Sequence, residues 1–71
     1  MRTKKTMIKQ VKKTIVNGIK VSTIQLLDPY YDGLFETIVL SHGHEFERTA
    51  KTYKQAMNDH QQGIEYARGL K

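Results

Sequence analysis

The chain has 71 residues, 38% of them hydrophobic, with no Trp and no Cys. That length allows one domain with a shallow core, burying about 60% of the unfolded surface; the missing thiols exclude disulfide staples and thiolate zinc sites. The net charge of +5 is one-sided: Arg2, Lys4, Lys5, Lys9, Lys12, Lys13 and Lys20 are seven bases in the first twenty residues with no acid among them, while the remaining fifty-one carry five bases and seven acids.

Residues 1–6 combine short polar side chains with repeated charge and read as a flexible basic arm. Residues 7–71 then form the domain. Neither a signal-peptide core nor a transmembrane run appears in the sequence, so a soluble protein with no membrane contact is expected.

Met7 to Val16 fits two patterns. Met7, Ile8, Val11 and Ile15 make a helical stripe, and Asn17-Gly18 would serve as its C-cap. Against this, Ile8, Val11, Thr14, Ile15 and Val16 are β-branched and suit a pleated surface. Asn-Gly between two such runs is also a strong hairpin signal, because a type I′ turn needs positive φ at both central residues. Strand is favoured over helix. A two-residue turn then sets Val16 opposite Ile19, Thr14 opposite Val21 and Lys12 opposite Thr23.

Ile19 to Leu27 is the second strand. Ile19, Val21 and Thr23 alternate, after which Ile24 and Leu26 continue in the opposite phase. That slip predicts a bulge, or a strand end buried on both faces. Asp28-Pro29 ends the strand, since proline lacks a ladder donor and restrains its predecessor. Asp28 to Gly33 is a loop carrying Tyr30 and Tyr31.

Leu34 to Ser41 is the third strand, His42-Gly43 a second tight turn, and Glu45 to Ala50 the fourth strand. This register puts Val39 opposite Phe46, Phe35 opposite Ala50 and Thr37 opposite Arg48. Thr52 to Leu70 is the helix. Tyr53, Ala56, Met57, His60, Ile64 and Ala67 share one face at helical spacing, and Asp59 falls among the polar residues of the other side. Thr52 with Gln55 marks a capping box, and Gly69 a stop.

The expected fold is therefore a single α+β domain, ββββα, with a four-stranded mainly antiparallel sheet and the C-terminal helix packed on one face. The predicted core is Val21, Ile24, Phe35, Ile38 or Val39, Phe46, Tyr53, Met57, His60 and Ile64. Ile15, Ile24 and Leu26, mixed with Lys13 and Lys20, are candidates for the face left uncovered; Ile24 sits at the change of phase and counts in both sets.

Several of these segments resemble a known family. Val21-Ser22-Thr23-Ile24, then Leu27-Asp28, then Leu34-Phe35-Glu36-Thr37-Ile38-Val39 resemble a group of small phage and prophage proteins that read VSTV, a leucine and LDH, then LFETMVF. Glu47-Arg48, Thr52, Ala56 and His60 keep step with the tail of that pattern. The similarity runs from about Gly18 to His60. Pro29 replaces the histidine of LDH, and Asp59 replaces the glycine of a glycine-histidine pair. The resemblance implies a phage or prophage origin and the same element order; with no signal-peptide or transmembrane run, the host-cell cytoplasm is the expected location. It implies no activity.

Chemistry has little footing in the sequence. His42 and His44 flank Gly43, and His60 lies on the helix stripe; three imidazoles can bind zinc if they converge, but two solvated turn histidines and one packed histidine account for them with less. No metal and no cofactor is expected. Ser22 and Ser41 lack a nucleophile-elbow context. Glu36, Glu45 and Glu47 read as solvated strand residues, and no glycine-rich phosphate loop occurs. The expectation is a protein that binds and does not catalyse.

Two binding classes remain. The leading one is a protein–protein interaction module using the uncovered sheet face, its partner an unidentified phage or host protein or a second copy in a homodimer. The alternative is nucleic-acid binding by Lys4, Lys5, Lys9, Lys12, Lys13 and Lys20, which would neutralise phosphates, with Tyr30 and Tyr31 stacking on bases. Lysines also blunt exposed edge strands, which is the plainer explanation for the first strand.

Overall fold

The computed structural model describes residues 8–27, 33–41 and 46–70. Four strands, β1 (Ile8–Val16), β2 (Ile19–Leu26), β3 (Phe35–Leu40) and β4 (Glu47–Ala50), form one antiparallel sheet in sequence order, followed by helix α1 (Tyr53–Arg68). The expected ββββα architecture is what the chain adopts. Among the described residues, no helix is long and apolar enough to cross a membrane.

The β1–β2 hairpin follows from its turn. Asn17 has φ of 52° and Gly18 φ of 80°, both in the left-handed region that asparagine and glycine tolerate best. The turn fixes the register, so Val16 pairs with Ile19, Thr14 with Val21 and Lys12 with Thr23. β1 is a strand, and the helical alternative for this segment is excluded. The irregularity expected in the second strand lies in the first: the register shifts between Gln10 and Lys12. Val11 is the extra residue, and it packs beside Phe35, Ala50 and Met57. A bulge puts two consecutive residues against one partner, which brings an apolar side chain to the covered face where strict alternation would not.

β2 therefore keeps one phase throughout. Val21 and Thr23 are buried under the helix, whereas Ile24 lies on the opposite face and is half-buried. The assignment of Ile24 to the core is corrected on this ground. β3 alternates without a break, burying Phe35, Thr37 and Val39 and turning Glu36, Ile38 and Leu40 away. Of the pair Ile38 or Val39, the core residue is Val39. Pairings of Phe35 with Ala50 and Thr37 with Arg48, and the bond from the Val39 amide to the Phe46 carbonyl, match the predicted register. The His42-Gly43 turn lies outside the described residues.

α1 starts where the chemistry marks it. Thr52 accepts the Gln55 amide at 3.1 Å. The Gln55 side chain does not return to the cap; it donates to Asp59 Oδ1 at 3.0 Å. Only half of the capping box forms, because Asp59 is buried and takes the amide. The buried helix face is Ala56, Asp59, His60, Gly63 and Ala67. It is narrower and smaller than the predicted stripe. Tyr53 is 60% exposed and is corrected out of the core, though its ring still meets Phe35 edge-on with centroids 6.2 Å apart. Met57 and Ile64 flank the core half-buried.

Small residues on the helix let it sit close to the sheet. A Cβ on Gly63 would lie 3.0 Å from Val21 Cγ1, 3.3 Å from Val39 Cγ2 and 3.4 Å from Phe46 Cε1. The core has two apolar parts. One gathers Val21, Val39, Phe46 and Ala67; the other gathers Phe35, Ala50 and Ala56. His60 stands on the helix between them.

Candidate functional site

The residue with the most chemical potential is His60, and the structure shows what it is bonded to. The ring is 1% exposed. Its Nδ1 lies 2.7 Å from Thr23 Oγ1 and its Nε2 lies 2.9 Å from Thr14 Oγ1. Thr23 Oγ1 in turn lies 2.7 Å from Thr37 Oγ1. A relay of three threonines on three adjacent strands thus holds one histidine on the helix. Thr37 takes part through Thr23.

The relay uses both ring nitrogens. A neutral imidazole donates from one nitrogen and accepts at the other, and the two hydroxyls meet both needs. Burial first, and the nearby Lys12 ammonium second, hold the His60 pKa below its ordinary value of 6.5. The ring is neutral and saturated, with no free lone pair for a metal and no opening to a substrate. Among the described residues, no buried side-chain polar atom lacks a partner and no three His, Asp or Glu side chains gather as a metal site. His42 and His44 lie outside the described residues. The relay is a polar layer of the core: satisfied, it fixes the helix over Thr14, Thr23 and Thr37, because any other placement leaves buried groups unpaired.

The predicted contact residues are dispersed. Lys4, Lys5, Tyr30 and Tyr31 lie outside the described residues. The other four lysines divide between the two faces of the sheet. Lys9 pairs with Gln25 and Lys12 with Thr23, on the helix side; Lys13 pairs with Ser22 and Lys20 with Ile15, on the open side. Lys9, Lys12, Lys13 and Lys20 are all exposed.

The open face is the larger feature. Pairing places Ile8, Ile15, Ile24, Leu26, Ile38 and Leu40 on it together. Ile8 is 55%, Ile15 58% and Leu40 51% exposed. Ile15, Ile24 and Leu26 are the three expected there from sequence. Ile38 and Leu40 are additions whose signal is the parity of β3: both are even-numbered, opposite in phase to Phe35, Thr37 and Val39.

Charge on this face is arranged by strand. Lys13 and Lys20 stand on β1 and β2, Glu36 and Glu47 on β3 and β4. The Glu36 carboxyl is raised above its ordinary value, first by burial and then by the charge of Glu47 and a hydrogen bond to it. Arg48 belongs to the other side, its guanidinium 4.3 Å from the Phe46 ring centroid. An open depression lined by Gly18, Ile19, Leu40 and Ser41 lies at one end of the sheet, with no charged side chain among the described residues of its lining.

In comparisons with protein-family models, with curated proteins and with solved structures, nothing matches this chain.

Proposed function

We propose that this chain is a small phage- or prophage-encoded protein that acts without catalysis, as a protein–protein interaction module working in the host cytoplasm through the open face of its sheet. The observation that carries this reading is the concentration of six aliphatic side chains on one uncovered face, three of them more than half exposed. In a chain with two Phe and no Trp, that apolar area is a large share of the total. Contiguous exposed apolar patches of this kind mark contact surfaces. The phage origin rests on the VST and LFET segments alone.

The core supports the same reading from the other side. His60, the one described imidazole, is consumed by Thr14 and Thr23. The lysines favour a protein partner over nucleic acid, because the described ones do not form a single track along one face.

The test is affinity capture from lysate of the source host, with the wild type and with a variant carrying Ile24→Thr and Ile38→Thr. Threonine keeps β-propensity and removes apolar area. The expected result is a protein retained by the wild type and lost with the variant. Equal recovery by both contradicts the reading. A parallel titration with labelled DNA and RNA at low salt, showing binding at tens of micromolar that weakens steeply as salt rises, would favour the nucleic-acid alternative.

A further inference from the structure

We propose that the open sheet face pairs with the same face of a second copy of this chain, sheet on sheet, about a two-fold axis parallel to the strands. This rests on the reading of that face as an interaction surface and specifies its occupant.

Lys13 pairs with Ser22, Ser22 with Ile38 and Ile38 with Glu47, so these four residues form one row across all four strands. The row begins with a cation on β1 and ends with an anion on β4. Of the rows on either side, Ile15, Lys20 and Leu40 carry a base on β2, and Gln10, Ile24, Glu36 and Thr49 carry an acid on β3. Bases stand on the β1–β2 half and acids on the β3–β4 half.

Two sheets can meet face to face about an in-plane two-fold in two simple ways. An axis across the strands lays β1 on β1 and sets the basic half against the basic half. An axis along the strands, between β2 and β3, lays β1 of one copy on β4 of the other. The central row then faces its own reverse: Lys13 opposite Glu47, Ser22 opposite Ile38, and again in mirror order. An isologous contact needs a self-complementary patch, and only the second arrangement makes this one so. Glu47, whose charge crowds Glu36, gains Lys13 of the other copy there, while Lys20 comes opposite Leu40 and Glu36 opposite Ile24.

Area sets the strength. Strands of nine, eight, six and four residues, at a rise of ~3.3 Å and a spacing of ~4.8 Å, give a face of about 430 Å² per copy. Two such faces, about 860 Å² together, fall below the ~1,200 Å² of stable interfaces and in the size range of weak, transient ones. The association is therefore reversible, with a dissociation constant in the micromolar range, and the helices remain on the outside of an α/β/β/α sandwich.

Sedimentation equilibrium at near-physiological salt over about 5–500 μM tests this. The wild type is expected to pass from monomer to dimer. K13E/K20E makes the four described charged positions of the face acidic, and E36K/E47K makes them basic, so each variant alone is expected to dimerise at least tenfold more weakly. A one-to-one mixture is expected to form a heterodimer at least tenfold tighter than either alone. Far-UV circular dichroism checks folding; if a double variant fails to fold, K13E and E47K alone give the same comparison. A wild type that stays monomeric, variants that dimerise as well as the wild type, or a mixture with no heterodimer each overturn the proposal. A monomeric wild type whose Ile24 and Ile38 still govern capture of another protein overturns the self-pairing and leaves the interaction module standing. A monomer with no face-dependent capture removes both.

Discussion

Gly63→Ala is the sharpest mutational test of how the helix sits on the sheet. At an exposed helix position the change stabilises by about 0.5–1 kcal/mol, since glycine loses more backbone freedom on folding than alanine. At Gly63 the new methyl would lie 3.0 Å from Val21 Cγ1 and 3.3 Å from Val39 Cγ2, where carbon atoms prefer ~3.5–4.0 Å. Neither valine yields readily. Both are β-branched, with restricted χ1, and both sit on the two central strands, 0% and 3% exposed. The helix must lift by roughly half an ångström, loosening Ala56 and Ala67 and stretching the His60 bonds. Overpacking of this kind costs about 1–3 kcal/mol. After the propensity gain is subtracted, a net loss of about 0.5–2 kcal/mol is expected, or a fall of several degrees in Tm for a domain of this size. Urea unfolding followed by circular dichroism measures it, with Asn58→Ala, at an exposed position of the same helix, as the control expected to stabilise by a few tenths of a kcal/mol. A midpoint for G63A at or above the wild-type value refutes the close approach of α1 to β2 and β3.

Three further outcomes follow from the polar layer and the hairpin. His60 is lowered in the fold, while the unfolded ring titrates near pH 6.5. Between those values the unfolded chain binds more protons, so the ring's contribution is complete above about pH 6.5, shrinks as pH falls, and stops changing once the folded ring is protonated. Urea midpoints at pH 7.5 and 5.5 are expected to show a larger acid-side loss in the wild type than in His60→Gln. Glu36 has the opposite sign, since its folded carboxyl is raised, but it is common to both proteins and cancels in the comparison. Thr23→Val keeps the shape but strips the His60 Nδ1 and the Thr37 hydroxyl of a partner, for an expected loss of about 2–4 kcal/mol in chemical denaturation; adding Thr37→Val and His60→Leu is expected to recover part of it, and a triple variant less stable than Thr23→Val alone counts against the relay. Gly18→Ala meets nothing within 4 Å but must hold φ near +80°, so a loss of about 1–2 kcal/mol is expected from backbone strain alone, and an unchanged Tm argues against the type I′ turn.

Local chemistry makes most of the fold legible in the sequence. Asn17-Gly18 permits few turns, so β1, β2 and three residue pairs came from that dipeptide together with the β-branched runs around it. The pairs Val39–Phe46 and Phe35–Ala50 came from a two-residue turn at His42-Gly43. What stayed hidden depends on contacts distant in the chain. The phase change at Ile24 is visible in the sequence, but it has two explanations, and only pairing shows that the extra residue is Val11 on the neighbouring strand. Tyr53 looked like core because it shares a period with Ala56 and Ile64, yet the helix turns its small side inward, where Gly63 permits the closest approach. Hydropathy gives no weight to a glycine or to a buried aspartate, so Gly63 and Asp59 were invisible to it. His60 was placed correctly on the covered face, but its partners Thr14 and Thr23 lie 46 and 37 residues away. The open face was half legible: Ile15, Ile24 and Leu26 by phase, with Ile38 and Leu40 recoverable from the parity of a single strand.

The claim on which the functional account stands is that the helix covers one face of the sheet and that the other is the contact surface. Methyl NMR of selectively labelled isoleucine and valine across a dilution series reads both parts at once. Ile15, Ile24 and Ile38 are expected to shift with concentration while Val21 and Val39, beneath the helix, hold their positions. Shifts concentrated on Val21 and Val39 would contradict it, and a spectrum unchanged from micromolar to millimolar would overturn the self-pairing of that face.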